Sequence, residues 1–113
     1  MALMLVSGSV QADDPDCSGV DHWFTNMAFV HLKNAGLTTN DAVDFTKTRT
    51  VRLASEKIGD DLYRQLHQVT FTERSGATIV VLTLGNASSE ECSMSEVKVF
   101  VVSRTLGSYP GPP

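Results

Sequence analysis

The chain reads as an α+β domain, with one N-terminal amphipathic helix packed on an antiparallel sheet of about four strands joined as a meander. Three features predict this. Residues 20–35, VDHWFTNMAFVHLKNA, carry apolar side chains at helical spacing. From Thr48 onward the pattern alternates with period two and is broken by short polar turns. The two cysteines, Cys17 and Cys92, lie near opposite ends of that pattern, where one disulfide would tie the helix to the sheet.

In the helical segment, Val20, Trp23, Phe24, Met27, Val30 and Ala35 recur on the expected apolar face, with Ser18 or Asp21 as N-cap. Gly36 is the stop, since glycine takes the left-handed conformation that ends helices. Asp13, Asp14 and Asp16 precede the helix, where its positive dipole end favours acid. Trp23 and Phe24 at this spacing read as core.

The β pattern begins with TRTVRLA, which sets Val51 and Leu53 on one face. LYRQLHQVTFTE follows, with Tyr63, His67, Val69 and Phe71 on one side. Between them, SEKIGDDLYRQL has helical spacing at Ile58, Leu62 and Leu66. Gly59 and two aspartates oppose a helix there, so a turn at Gly59-Asp60-Asp61 between two strands is expected. Arg74-Ser75-Gly76-Ala77 is a hairpin turn, and TIVVLTL is apolar enough for a central strand. Gly85 to Ser95 is a polar loop holding Cys92. EVKVFVVSR is the last strand, with Val97, Val99 and Val101 facing the helix.

Length and charge narrow the function. A chain of 113 residues supports one core. The composition, 42% hydrophobic and 19% charged, is that of a folded globular domain. A net charge of −4 without a basic cluster argues against nucleic-acid binding, which needs cations to displace phosphate counterions. No apolar run reaches the ~18 residues of a membrane span.

The start MALMLVSGSVQADDPDC resembles the end of an export signal. Val10-Gln11-Ala12 has the small-residue form of a cleavage site, and Asp13 is the expected mature start. The apolar run Ala2–Val6 is shorter than a full signal core, so residues 1–12 read as a residual export signal, 13–107 as the domain and 108–113 as a disordered Pro/Gly tail. In an oxidising compartment Cys17 and Cys92 pair; their spacing is not that of a zinc site or a redox CxxC motif.

No catalytic, metal or cofactor signature is present. His22 and His31 fall on opposite sides of the helix and cannot share a metal. His67, with Tyr63 and a nearby acid, is the one candidate for a small hydrolase. SSEEC (88–92) lacks the spaced ligands of a calcium loop, and Asn86-Ala87-Ser88 matches a glycosylation sequon.

The sheet's outward face is the more informative feature. Strand alternation predicts an apolar outer strip of Ile79, Val81, Phe100 and Val102, the candidate interaction surface; a one-residue change of register would swap the faces. Either the segment 37–47, with Leu37, Val43 and Phe45, folds over this strip, or a partner does.

In the stretches DHWFTNMAFVHLKNAGLT, DLYRQLHQVTFTERSG and ASSEECSMSEVKVFVVSR the chain resembles small exported proteins of Gram-negative bacteria with no assigned function. The resemblance implies a periplasmic or secreted location and brings no activity. The expectation is a non-catalytic protein-binding module without cofactor, able to self-associate. The alternatives are the hydrolase centred on His67 and a structural envelope or surface protein.

Overall fold

A computed structural model describes residues 14–104. The expected export signal (1–12), the mature start at Asp13 and the Pro/Gly tail lie outside the described residues.

Helix α1 spans Trp23–Asn34, a 3-10 turn spans Phe45–Lys47, and four strands follow: β1 Arg49–Gly59, β2 Leu62–Thr72, β3 Thr78–Ala87 and β4 Lys98–Arg104. The strands form one antiparallel meander in the order β1-β2-β3-β4, as short turns between successive strands favour. α1 covers one face of this sheet, so the α+β fold predicted from sequence is the fold found.

α1 starts three residues later than expected, and neither Ser18 nor Asp21 caps it. His22 takes the N-cap position with no side-chain bond, while Thr25 Oγ1 donates to the Gly19 carbonyl at 2.6 Å. Asp16 instead accepts from the Ser18 hydroxyl and backbone N–H, and the hydroxyl bond is the main cause that holds its carboxyl below the usual range. At the other end Gly36 (φ +75°) donates to Lys33 O, and Leu37 N–H donates to Leu32 O, a Schellman ending. That geometry turns Leu37 back onto the core beside Leu32.

The buried helical face is Phe24, Thr25, Ala28 and Leu32. Val20 and Val30, expected on it, are exposed. The true stripe steps through small Ala28 and polar Thr25, which a search for large apolar residues passes over.

The uncertain segment 55–66 is a β1–β2 hairpin. Gly59 pairs with Leu62, and Asp61 takes the left-handed conformation (φ 50°) that aspartate tolerates in turns. Gly76 (φ +95°) closes the β2–β3 turn by donating to Glu73 O at 2.8 Å.

The disulfide joins Cys17 to Cys92 across 75 residues, with Cα atoms 5.7 Å apart. It fixes the segment before α1 to the loop between β3 and β4. Cys17 is fully buried and packs with Phe24, Ala87 and Val97. A second apolar cluster at the other end of the helix is built from Leu32, Val43, Val69, Phe71, Ile79 and Val81.

The segment 37–47 does not cross the outer face. Val43 bridges to Glu73, Asp44 N–H donates to Thr72 O and Arg74 N–H donates to Ala42 O. These bonds hold it along the end of β2, with Leu37 and Val43 on the helix side. Phe45 meets Phe29 edge-on at 4.9 Å.

Candidate functional site

Cross-strand partners share a face, so the register assigns each side of the sheet. Phe71 pairs with Ile79, Val69 with Val81, His67 with Thr83 and Gln65 with Gly85. These residues face the helix, and all are buried. The alternate set pairs Thr70 with Val80, Gln68 with Leu82 and Leu66 with Leu84, and continues to Phe100 opposite Leu82. It faces away.

The expected strip is therefore half corrected. Phe100, opposite Leu82, is 50% exposed, Val102 is 57% exposed at a bulge in β4 where the register gives it no partner, and Ile79 and Val81 are 0% exposed in the core. The outward residues of β3 are Val80, Leu82 and Leu84. All of TIVVLTL apart from its threonines is apolar, so its composition carries no sign of which parity faces in. Only the pairing with β2 and β4 decides it.

Across β1 the outer face continues through Val51, 50% exposed and paired with Gln68. A bulge between Arg52 and Ala54 interrupts the ladder here. The face thus holds apolar side chains from all four strands. Among the described residues no helix or loop covers it. Its charges lie near the ends: Arg49 at one, and Glu56, Arg64 and Lys98 at the other. Glu56 and Arg64 form an exposed ion pair at 2.8 Å.

The helix-facing side is unexpectedly polar at its centre. Ser55, Gln65, His67 and Thr83 are all buried. Gln65 Nε2 donates to Pro15 O at 2.8 Å and to Ser55 Oγ at 3.1 Å. Arg52 donates from one guanidinium nitrogen to the carbonyls of Asp14 and Pro15. Gln65 and Arg52 thereby hold the segment that carries Cys17. Sequence reasoning missed both, although Gln65 shares parity with Tyr63 and His67 and was legible on that ground.

His67 is 1% exposed, and its ring stacks on Phe24 at 4.6 Å between centroids. Burial, aided by the neighbouring Arg52 cation and by His22 and partly offset by Asp16, lowers its pKa to about 4. Among the described residues neither ring nitrogen has a hydrogen-bond partner. Tyr63 lies four residues away on the same strand, roughly 13 Å along it. Among the described residues no carboxylate bonds the imidazole, and the Thr83 hydroxyl across from it is likewise unpartnered.

Phe24 reaches His67 because Gly85 has no side chain. A Cβ at Gly85 would lie 2.6 Å from Phe24 Cε1. The glycine is a clearance for the ring.

An open cleft of about 470 Å³ runs between α1 and the 3-10 turn, with Phe29, Phe45 and Phe71 among its walls and Thr25, Asn26 and Asn40 among its polar groups. Val20 and Val30 line it, which accounts for apolar residues on the exposed side of α1.

Among the described residues no group of three or more His, Cys, Asp or Glu side chains could hold a metal ion. No helix of the described residues is long and apolar enough to cross a membrane. In SSEEC, Ser89 donates from its backbone and hydroxyl to Asp61, so the loop is tied to the β1–β2 turn. Comparisons with protein-family models, with curated proteins and with solved structures found no match.

Proposed function

We propose that this chain is an exported, non-catalytic protein-binding module that engages its partner through the outer face of the sheet. The observation that carries the reading is that Val51 and Phe100, each 50% exposed, end one row across the outer face with Leu82 between them. An antiparallel sheet with one solvated face alternates apolar with polar residues. Here the outer positions of β3 from Val80 to Leu84 are apolar, with Phe100 of β4 beside Leu82. Large exposed apolar patches mark contact sites.

The disulfide supports export, because such bonds persist in oxidising compartments. It also suits a small scaffold that must hold a rigid surface. The state of His67 favours the non-catalytic reading: a buried imidazole stacked under Phe24, without an orienting acid, lacks the arrangement a general base requires.

The test is affinity capture from the envelope fraction of the source cell, with the native chain and a Phe100→Ser, Val102→Ser variant as baits. Native chain should retain a stoichiometric partner. The variant should unfold at the same denaturant concentration and retain none. Equal capture by both baits would remove the outer face from consideration.

A further inference from the structure

We propose that the occupant of the outer face is a second copy of this chain, stacked sheet to sheet across a two-fold axis that runs along the strands. The proposal rests on the reading of that face as a contact surface. Size is the first argument. Four strands of 11, 11, 10 and 7 residues, at about 4.8 Å between strands and about 3.3 Å per residue, present roughly 600 Å² in projection. A stable interface takes about 800 Å² of accessible surface from each partner. Side-chain relief raises the projected value toward that figure only if the whole face is used.

The occupant must therefore be about as wide and flat as the sheet. The apolar run Ala2–Val6 at the start of the chain spans about 17 Å when extended and covers one strand's width. An identical sheet covers all four.

The register is the second argument. A two-fold axis along the strands lays β1 over β4 of the second copy and keeps like ends together. Val51 pairs with Gln68, which pairs with Leu82, which pairs with Phe100, so these four form one row across the sheet. In the stack Val51 of each copy meets Phe100 of the other. Lys98 lies in the row next to that of Glu56. Long side chains one row apart bring Glu56 of each copy within reach of Lys98 of the other. The only amide in the central row, Gln68, lies beside the axis, where the two copies' amides can bond to each other. The product is a four-layer α/β/β/α sandwich with both sheets covered on both sides.

Light scattering of the full chain with its disulfide intact, over a concentration series, reads the mass. The expected value is twice 12.2 kDa. Phe100→Glu on β4 and, separately, Val51→Glu on β1 should each return the mass of one chain with helix and strand content unchanged. Isotope-filtered NMR on a mixed sample should show contacts between copies from the Val51 methyls to the Phe100 ring. A single-chain mass at every concentration overturns the second copy. If the Phe100→Ser, Val102→Ser bait still loses a different captured protein, the contact face itself survives. Contacts from Ala2–Val6 to Phe100 within one chain overturn both readings. A dimer that withstands both glutamate variants uses another surface, and the proposal falls.

Discussion

Acidification through the range from pH 6.5 to about 4 isolates the buried imidazole of His67. In the unfolded chain this histidine takes up a proton near its ordinary value of 6.5, and in the fold only near 4. Between those values the unfolded state binds more protons than the native state. Stability therefore falls as pH falls through 6.5, and this loss levels off below about 4, where both states are protonated. Moving the value from 6.5 to about 4 amounts to about 3 kcal/mol at about 1.4 kcal/mol per tenfold change in proton affinity. Against a total stability of about 5–15 kcal/mol that is a large share. Asp16 and Asp44, whose values are lowered chiefly by bonds from the hydroxyls of Ser18 and Thr46, act in a separate window. Their contributions are present above the ordinary carboxylate value and are lost below it. Urea unfolding at a series of pH values, with the disulfide intact, measures the curve. His67→Gln, also neutral but unable to take up a proton in this range, should flatten the slope between pH 6.5 and 4. A native protein equally stable at both ends, or a variant that keeps the slope, would refute the assignment of the acid loss to burial of this ring.

Three other outcomes follow from the packing. Gly85→Ala should destabilise by about 1–3 kcal/mol in chemical unfolding, because the new methyl must displace the Phe24 ring from 2.6 Å; its near-ultraviolet spectrum should change, and an unchanged unfolding midpoint would show that the ring gives way freely. Replacing both Cys17 and Cys92 with Ser should cost about 4 kcal/mol for a loop closed across 75 residues, read as a fall in urea midpoint; a loss under about 1 kcal/mol would mean that the unfolded chain gains little freedom. Ile79→Ser and Phe100→Ser should part company: the first, at a fully buried site, loses about 2–5 kcal/mol, while the second, half exposed, stays within about 1 kcal/mol when measured below any association. Equal losses would mean that both faces are core.

The meander, the hairpin turns and the disulfide were legible because each rests on local chemistry. Gly36 and Gly76 supply positive φ where a helix must end and a turn must close. The cysteines had only one pairing open to them within the chain. Faces were harder, since they depend on partners distant in sequence. Val20 and Val30 fit a helical stripe as well as Ala28 and Leu32 do, and only the sheet decides which side is covered. On β3 both parities are apolar, so Ile79 and Val81 could not be separated from Val80 and Leu82 without the register to β2. The segment 37–47 carried apolar residues fit to cover either side. Its backbone bonds to Thr72 and Arg74 hold it on the helix side.

The two faces of the sheet invert the usual division of polarity. Burying Ser55, Gln65, His67 and Thr83 under α1 takes polar groups out of water, and the hydroxyl of Thr83 and both nitrogens of His67 gain no bond in return among the described residues. An unsatisfied buried polar group costs about 1–3 kcal/mol. Meanwhile Val51 and Phe100 remain half exposed on the opposite side. Each forgoes part of the roughly 1.5–3 kcal/mol that complete burial of such a side chain contributes. A free monomer thus carries a penalty on one face and leaves stabilisation unrealised on the other. Covering the outer face corrects the second without touching the first. The same contact would also make unfolding depend on protein concentration, since whatever binds only the native state stabilises it by mass action. For the native chain the urea midpoint should rise with concentration, and for Phe100→Glu it should not move. A native midpoint independent of concentration would show that the outer face is left uncovered by any second copy, and the apolar side chains there would need another explanation.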